Sequence, residues 1–512
     1  MQDRLTQYKD FHRFLLENAE RRGSKPYIIS VDQGKRITFD QMNSYCNRIA
    51  NFLKAEGVKK DDRISVIGKN SIETMIIFYA VLRYGAIINP INYEESKGNI
   101  HHILERVKPK FVLHDQGFDP YDHDLSFSWL QFADFDKNKE GTDELFSLIK
   151  GYDSHFEAHL GSKEDIAEIV FTSGTTERPK GVVITREGLF YMVAEVIDKV
   201  GITEEDRVLE YRAYNWASPQ LLTILSTMMT GATLVLARKF SRSKFPTWLK
   251  SNDITISSGV PTVINILVSE PVPLHKRDVP SLKFITSSSA PLSQEKHRAF
   301  EDIYGIPINQ MGGMSEAGWM IGNPPDKRKM GSVGTPFKYT KIEILNVEGQ
   351  KCRVGEEGEI NVRGKSMGLG YLNADGTIDR FSDKGFPTGD LGYKDSDGYI
   401  FITGRKKDVI IRGGINISPM EINDRLTEHP HIREAVTIGI PDKIYGEELA
   451  SFVVSEKGYT ISEEEILTHC KKKLPDFKIP KVIRFLDEIP KTKTGKFSKP
   501  NLLKLVHEGS YI

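Results

Sequence analysis

A chain of 512 residues is long enough for two large domains or three ordinary ones with full apolar cores. Lys plus Arg and Asp plus Glu number 70 each, so no global field draws the chain to nucleic acid or to an anionic membrane, and 39% hydrophobic with 27% charged residues describes an ordinary soluble globular protein. Cys46, Cys352 and Cys470 form no CxxC and no disulfide framework, which suits a reducing cytoplasm, and the histidines show no metal-ligand spacing, the adjacent His101 and His102 splaying apart on a helix.

The first residues hold no signal-peptide apolar block, and no apolar run reaches membrane-spanning length. Phe11, Phe14, Leu15 and Ala19 predict an amphipathic helix. Thr38 with Gln41 forms a capping box opening a helix on Met42, Tyr45, Ile49, Phe52 and Leu53 that stops at Gly57. Residues 63–67 read as a strand, 71–84 as an apolar helix ended by Gly85, and 86–89 as a strand closed by Pro90. Such a βαβ unit implies a mainly parallel sheet covered on both faces. From about 120 to 161 the chain turns polar and acidic, as a surface excursion would.

Residues 166–185 read IAEIVFTSGTTERPKGVVIT. Two β-leaning apolar runs flank Thr172, Ser173, Gly174, Thr175 and Thr176, then Arg178, Pro179, Lys180 and Gly181. Hydroxyls, cations and glycines between buried strands are poor core material and good phosphate-wrapping material, because glycine lets the backbone close in while side chains and N–H groups donate. The pattern is not GxxxxGK[ST], since Gly181 follows Lys180. Downstream, 189–200 reads as a helix, and 208–214, 231–237, 254–260 and 282–289 as strands with helices between them. From 331 to 390 short glycine-punctuated strands suggest a small β-barrel. A boundary near 404–408 precedes a compact α+β unit with strands at 409–412 and 435–440, a helix at 419–426, a helix capped by Ser462 and Glu465, and the basic loop KTKTGKFSK.

The loop resembles TSGTTGxPKGV, the phosphate-binding signature of the adenylate-forming enzymes: acyl-CoA synthetases, nonribosomal adenylation domains and luciferases. Glu177 replaces a glycine of that signature. Five further motifs match in the same order. In QMGGMSEAG (310–318), similar to YGxTE, the resemblance gives Ser315 the α-phosphate and Glu316 a magnesium ion; Gln310, Met311 and Gly312 fall in the nucleotide site, with Gly312 where an aromatic often covers adenine. GEINVRGKSMGLGYLN (358–373) is read as structural. In PTGDLGYKDSDGYIFITGRKKD the resemblance assigns the ribose to Asp390, ribose and phosphate to Arg405, and the hinge to Lys407. In IRGGINISPMEI the resemblance places Gly413 and Gly414 beside the pantetheine tunnel, and in PKTKTGKFSK Lys496 matches the family's catalytic lysine. Ser289, Ala290 and Pro291 match a loop near adenine and acid. Tyr214, Asn215, Trp216, Gly313 and Met314 fall on the acid pocket. Asn215 is neutral and cannot supply the negative charge that pairs with an α-ammonium, which disfavours amino acids.

The resemblance implies an α/β fold: a large N-terminal domain (1–404) of two βα-layered sheets plus a small barrel, a hinge (405–407) and a small mobile α+β domain (408–512). It implies a carboxylate–CoA ligase that uses ATP, Mg²⁺ and coenzyme A and passes through an acyl-adenylate. With Trp319, the aromatic pocket residues would line an apolar slot for an aryl or medium-chain acid, and a homodimer is the candidate assembly. Two rivals stay open: loading of a carrier protein, made less favoured by Gly414 and by the absence of a carrier domain before Ile512, and a nucleotide-binding homologue without catalysis.

Overall fold

Two large mixed sheets and the helices between them carry most of the chain before residue 400. The computed structural model describes residues 5–120, 127–136, 144–157, 161–172, 178–491 and 497–508. The eight-stranded sheet runs Ile378–Arg380, Gly370–Leu372, Gly181–Thr185, Ile166–Phe171, Ile87–Asn92, Arg63–Gly68, Phe111–Asp115, Ser128–Phe132. Its βαβ unit is parallel as expected; the helix Ile72–Tyr84 is capped by the Ser71 hydroxyl and ended by Gly85 at φ +100°. Every residue of that helix is buried, because it lies inside the protein with sheet and helix on all sides.

Two expectations are corrected in this sheet. The strand at 86–89 does not end at Pro90: it runs Ile87–Asn92, with Pro90 opposite Val66. Its other neighbour joins it only at Ile88 and Glu168, so the N–H that proline lacks is not called for. Nor is 120–161 a mere excursion. Ser128–Phe132 adds a parallel edge strand, and Phe132, Phe135, Leu145 and Phe146 enter the core. The apolar residues of the strand, Trp129, Leu130 and Phe132, form a run of only a few positions between acidic stretches, too short for its period to stand out.

In the nine-stranded sheet six strands run parallel, in the order Ile308–Met314, Phe284–Ser287, Ile256–Ser257, Arg207–Glu210, Thr233–Leu236, Pro26–Ser30. The expected strands at 208–214, 254–260 and 282–289 are all cut short at their carboxyl ends. Tyr211–Tyr214, Ser258–Val260 and Ser288–Ser289 leave the ladder, and the open edge they form is where an α/β sheet holds ligands. The helix Arg186–Val200, capped by Thr185, packs into the main core. Its Arg186 is fully buried; the guanidinium donates to the Leu82 carbonyl and stands 3.2 Å from Asp10, which also caps the helix Phe11–Arg22.

Where a small barrel was expected, Thr340–Leu345, Gly358–Gly364, Phe386–Lys394 and Ile400–Arg405 form a four-stranded sheet with an open pairing path. Of the remaining short strands, Gly370–Leu372 and Ile378–Arg380 pair into the eight-stranded sheet and Thr335–Pro336 into the nine-stranded one. Beyond Arg405 a five-stranded sheet with the helices Pro419–Thr427 and Glu463–Lys471 has its own apolar core, including Ile410, Ile422, Leu426, Val453 and Ile466. The Ser462–Glu465 capping box is present.

Candidate active site

The neck of the phosphate loop is a β-hairpin. Val170 pairs with Val182 and Phe171 with Gly181, the Thr172 N–H donates to the Lys180 carbonyl (2.9 Å), and the Lys180 N–H donates to Thr172 Oγ1 (3.3 Å). Gly181 is tightly placed there: a Cβ would sit 3.0 Å from the Phe171 ring, which would have to shift to admit it. Ser173, Gly174, Thr175 and Thr176 lie outside the described residues, as does Lys496.

From the neck a polar chain leads inward. The Lys180 ammonium lies 5.7 Å from the centre of the Tyr371 ring, and the Tyr371 hydroxyl donates to Glu316 Oε1 at 2.6 Å. Burial first, then the hydrogen bond to Glu316 and its charge, push the Tyr371 pKa up, so the phenol keeps its proton and stays a donor. Glu316 is buried and Ser315 half-buried, both just past the strand Ile308–Met314. One fixed carboxylate is what Mg²⁺ needs from protein, since that ion takes one or two carboxylates plus phosphate oxygens and keeps its waters. Among the described residues no cluster of three or more metal-ligating side chains exists.

The two glycines before Met314 differ. At Gly313 a Cβ would come within 2.4 Å of the Gly318 carbonyl, so the hairpin with Gly318–Gly322 admits no side chain; at Gly312 a Cβ would meet only Val333 Cβ, at 3.8 Å. Ser289, Ala290 and Pro291 are exposed at the end of the strand Phe284–Ser287, and Ser289 holds φ +74°, a strained angle for a residue with a Cβ. Gln310 has its side chain against His297 and its carbonyl accepting from Asn323, and Met311 is in the core. Asp390 and Arg405 sit opposite each other on neighbouring strands, with Arg405 Nε donating to Asp390 Oδ1 at 2.7 Å. Lys407 is exposed in a 3-10 turn immediately after them.

Residues 15–372 match the AMP-binding enzyme family model and residues 421–496 the AMP-binding enzyme C-terminal domain. The chain belongs to the AMP-binding enzyme family. Its relatives include the sulfoacetate–CoA ligase of Cupriavidus necator, 31% identical over 94% of both chains, and the oxalate–CoA ligase of Arabidopsis thaliana, 31% identical over 95% of this chain and 96% of that one. The crystal structure of ATP-bound MatB from Rhodopseudomonas palustris superposes with a TM-score of 0.88 at 26% identity, covering 98% of this chain and 100% of that one. The resemblance to adenylate-forming acyl-CoA synthetases is thereby borne out.

Two of the aromatic residues expected to line an apolar slot in this AMP-binding enzyme, Tyr214 and Trp319, are buried in the core. Tyr214 is 1% exposed and its hydroxyl donates to the Val66 and Ile91 carbonyls (2.6 and 3.2 Å), so it is a core residue of the eight-stranded sheet. Trp319 is equally buried, its indole N–H donating to the Ser218 carbonyl at 3.3 Å. Aromatic residues next to a ligand motif fit a core as well as a pocket, and pattern cannot separate the two. Asn215, Trp216 and Met314 stay half-buried at the crevice and Gly313 is exposed.

Two features escaped the sequence reading. Tyr371 lies in the GYLN motif that was read as structural; its role follows from the pairing of Tyr371 with Val182, beside the loop neck, which no local pattern reveals. The second is a buried ion pair, Glu210 with Arg212, at the end of Arg207–Glu210. Two opposite charges in the run VLEYRAY were its available signal.

Gly413 and Gly414 form the two-residue turn between Ile410–Arg412 and Ile415–Ile417, at φ +57° and +82°, a geometry reserved for glycine-like residues. A Cβ on Gly414 would meet nothing within 4 Å, so the protein itself leaves that space open. Among the described residues no helix is long and apolar enough to cross a membrane.

Proposed function

We propose that this AMP-forming carboxylate–CoA ligase assigns its steps to the residues above. The acid carboxylate attacks the α-phosphorus of ATP to give acyl-adenylate and pyrophosphate; the thiol of coenzyme A then attacks the acyl carbonyl and releases AMP. In the first step two anions must meet, so the donors of Thr172–Lys180, Ser315 and Lys496 neutralise the phosphates. Glu316, held by Tyr371, is the residue that would carry Mg²⁺, which when bound offsets phosphate charge. Asp390 and Arg405 take the ribose. Residues 1–404 form the ATP- and acid-binding domain, 405–407 the hinge and 408–512 the moving domain, a reading supported by the separate apolar core beyond Arg405. Gly413 and Gly414 border the path of pantetheine. The scattered reduced cysteines support a cytoplasmic setting.

The observation that carries the residue assignment is the run Lys180–Tyr371–Glu316, which joins loop neck and metal carboxylate in one polar chain. The acid stays open at family level: relatives are named for sulfoacetate, oxalate and long-chain fatty acids alike. Pyrophosphate release over a panel of acids, with and without coenzyme A, tests the reading. Release with at least one acid, and a thioester only when coenzyme A is present, is expected. No release with any acid would leave a nucleotide-binding homologue, and transfer only to a carrier protein would favour the other rival.

A further inference from the structure

The carboxyl end of the strand Arg207–Glu210 and its surroundings gather buried polar groups whose hydrogen-bonding capacity is not all spent. At its centre Glu210 is fully buried and saturated. Its oxygens accept from the Tyr211 and Arg212 N–H groups (2.9 and 2.7 Å), from Ser258 Oγ and Thr223 Oγ1 (both 2.9 Å), and from Arg212 Nε and Nη2 (2.9 and 2.7 Å). A carboxylate has about four lone-pair sites, so Glu210 has nothing left to offer. Arg212 is the opposite case. One edge of its guanidinium, Nε with Nη2, is forked onto Glu210; the other edge, Nη1 with Nη2, has only Ser218 Oγ, at 3.5 Å. The side chain is 3% exposed, so water does not make up the difference.

The position of that open edge matters. Arg212 follows the strand Arg207–Glu210, and Ser218 lies on the short helix Ala217–Pro219, which packs against the Ile308–Met314 and Gly318–Gly322 hairpin leading to Ser315 and Glu316. Ser258 ends the neighbouring strand on one side. One strand further, Ser287 and Ser288 are 2% and 1% exposed, and their hydroxyls have no partner; neither does Asn215 Oδ1. Buried polar groups without partners cost roughly 1–3 kcal/mol each, so a polar ligand that met several of them would recover that cost.

We propose that Arg212 recognises a second oxyanion on the substrate, so that the enzyme activates short acids bearing a carboxylate or sulfonate at the end away from the reacting carboxyl. The inference rests on the carboxylate–CoA ligase reading. Glu210 fixes the guanidinium plane and the charge-assisted fork on its free edge matches a planar or tetrahedral oxyanion, with Ser218 beside it. A purely structural ion pair would tie the strand end to Thr223 and Ser258 equally well but would not need an unspent edge.

The test compares each dianion with an uncharged shape mimic: sulfoacetate with 3,3-dimethylbutanoate, malonate with 3-methylbutanoate, succinate with 4-methylpentanoate. For the wild type, kcat/KM for the best dianion should exceed that for its mimic at least ~100-fold, and in Arg212→Met that ratio should fall at least ~100-fold. Arg212→Met strands the Glu210 charge, so Glu210→Gln/Arg212→Met, which removes the pair as a unit, is measured beside it with a thermal melt. Wild-type preference for the uncharged mimics, or a ratio unmoved in a variant with a normal melt, would overturn the proposal. If both variants melt early, the wild-type ratios decide alone. Thioester formation without any dianion preference defeats this inference only, whereas no pyrophosphate with any acid defeats the ligase reading itself.

Discussion

The phosphate hairpin and the acid crevice occupy the same kind of place, the carboxyl ends of sheet strands, and are built in opposite ways. The hairpin gathers consecutive residues, Thr172 to Gly181, whose neck is closed by local hydrogen bonds. The crevice gathers single residues from separate strands, Arg212, Ser258 and Ser287, bound into buried pairs or left without partners. A ligand shared by a whole family can be met by one contiguous loop. A ligand particular to one enzyme has to be met by side chains that the fold brings together from afar, which is why the first region is written in the sequence as a motif and the second is not.

The largest expected effect lies on the phosphate side. Lys496→Ala should lower pyrophosphate release by ~10²–10³ or more, about 2.7–4 kcal/mol, as for loss of a donor aimed at developing charge. Thioester formation from supplied acyl-adenylate should fall far less, and equal losses in both half-reactions would break the two-conformation picture. Tyr371→Phe removes a hydrogen bond to a carboxylate, a contact of roughly 1.5–3 kcal/mol, so kcat should drop ~10–100-fold with a raised Mg²⁺ requirement. The preference between dianion and mimic should not move; if it does, the two regions are not separable.

Glu168 sharpens the comparison because it hides an unpaired group under the phosphate hairpin. It is fully buried on the strand Ile166–Phe171, the nearby Gln220 amide makes no well-formed bond to it, and burial pushes its pKa up to about 8. The folded state therefore binds a proton that the unfolded chain gives up near the ordinary carboxylate value. Stability from this group is complete below about pH 4.5 and is lost as pH rises toward 8. Glu168→Gln should flatten that slope and gain on the order of 1–3 kcal/mol at pH 8 or above, read from melts across pH; an unchanged slope would mean the carboxylate has a partner. The smallest effect concerns Gly312. Gly312→Tyr should be tolerated and lower the KM for ATP about threefold to tenfold, since an aromatic contact adds roughly 0.5–1.5 kcal/mol. Gly313→Ala, one residue on, should instead cost thermal stability, because its Cβ has no room. Reversal of those two outcomes would displace the nucleotide from this hairpin.

What could be read in the sequence was local. The capping boxes at Thr38–Gln41 and Ser462–Glu465 and the stop at Gly85 are written in a few adjacent residues, and each stands where it was expected. The phosphate loop was legible for the same reason. Tyr214 and Trp319 misled because burial, not identity, decides whether an aromatic ring meets a ligand. The strand Ser128–Phe132 was invisible because an edge strand carries half the apolar pattern of a central one. Glu210 and Arg212 were visible as letters, but their partners Thr223 and Ser258 come from other elements, and only the folded chain shows which edge of the guanidinium is left.

Arg186 gives the start of the chain a duty that its distance from the site conceals. This fully buried cation stands 3.2 Å from the carboxylate of Asp10, which caps a helix that enters the core on Phe11, Phe14 and Leu15. The segment that neutralises Arg186 is synthesised long before it, so the pair closes only once the helix Arg186–Val200 has been made. Trimming the enzyme past Asp10, by protease or by a later start codon, would leave every motif intact and still strand a buried charge, a loss of roughly 3–5 kcal/mol.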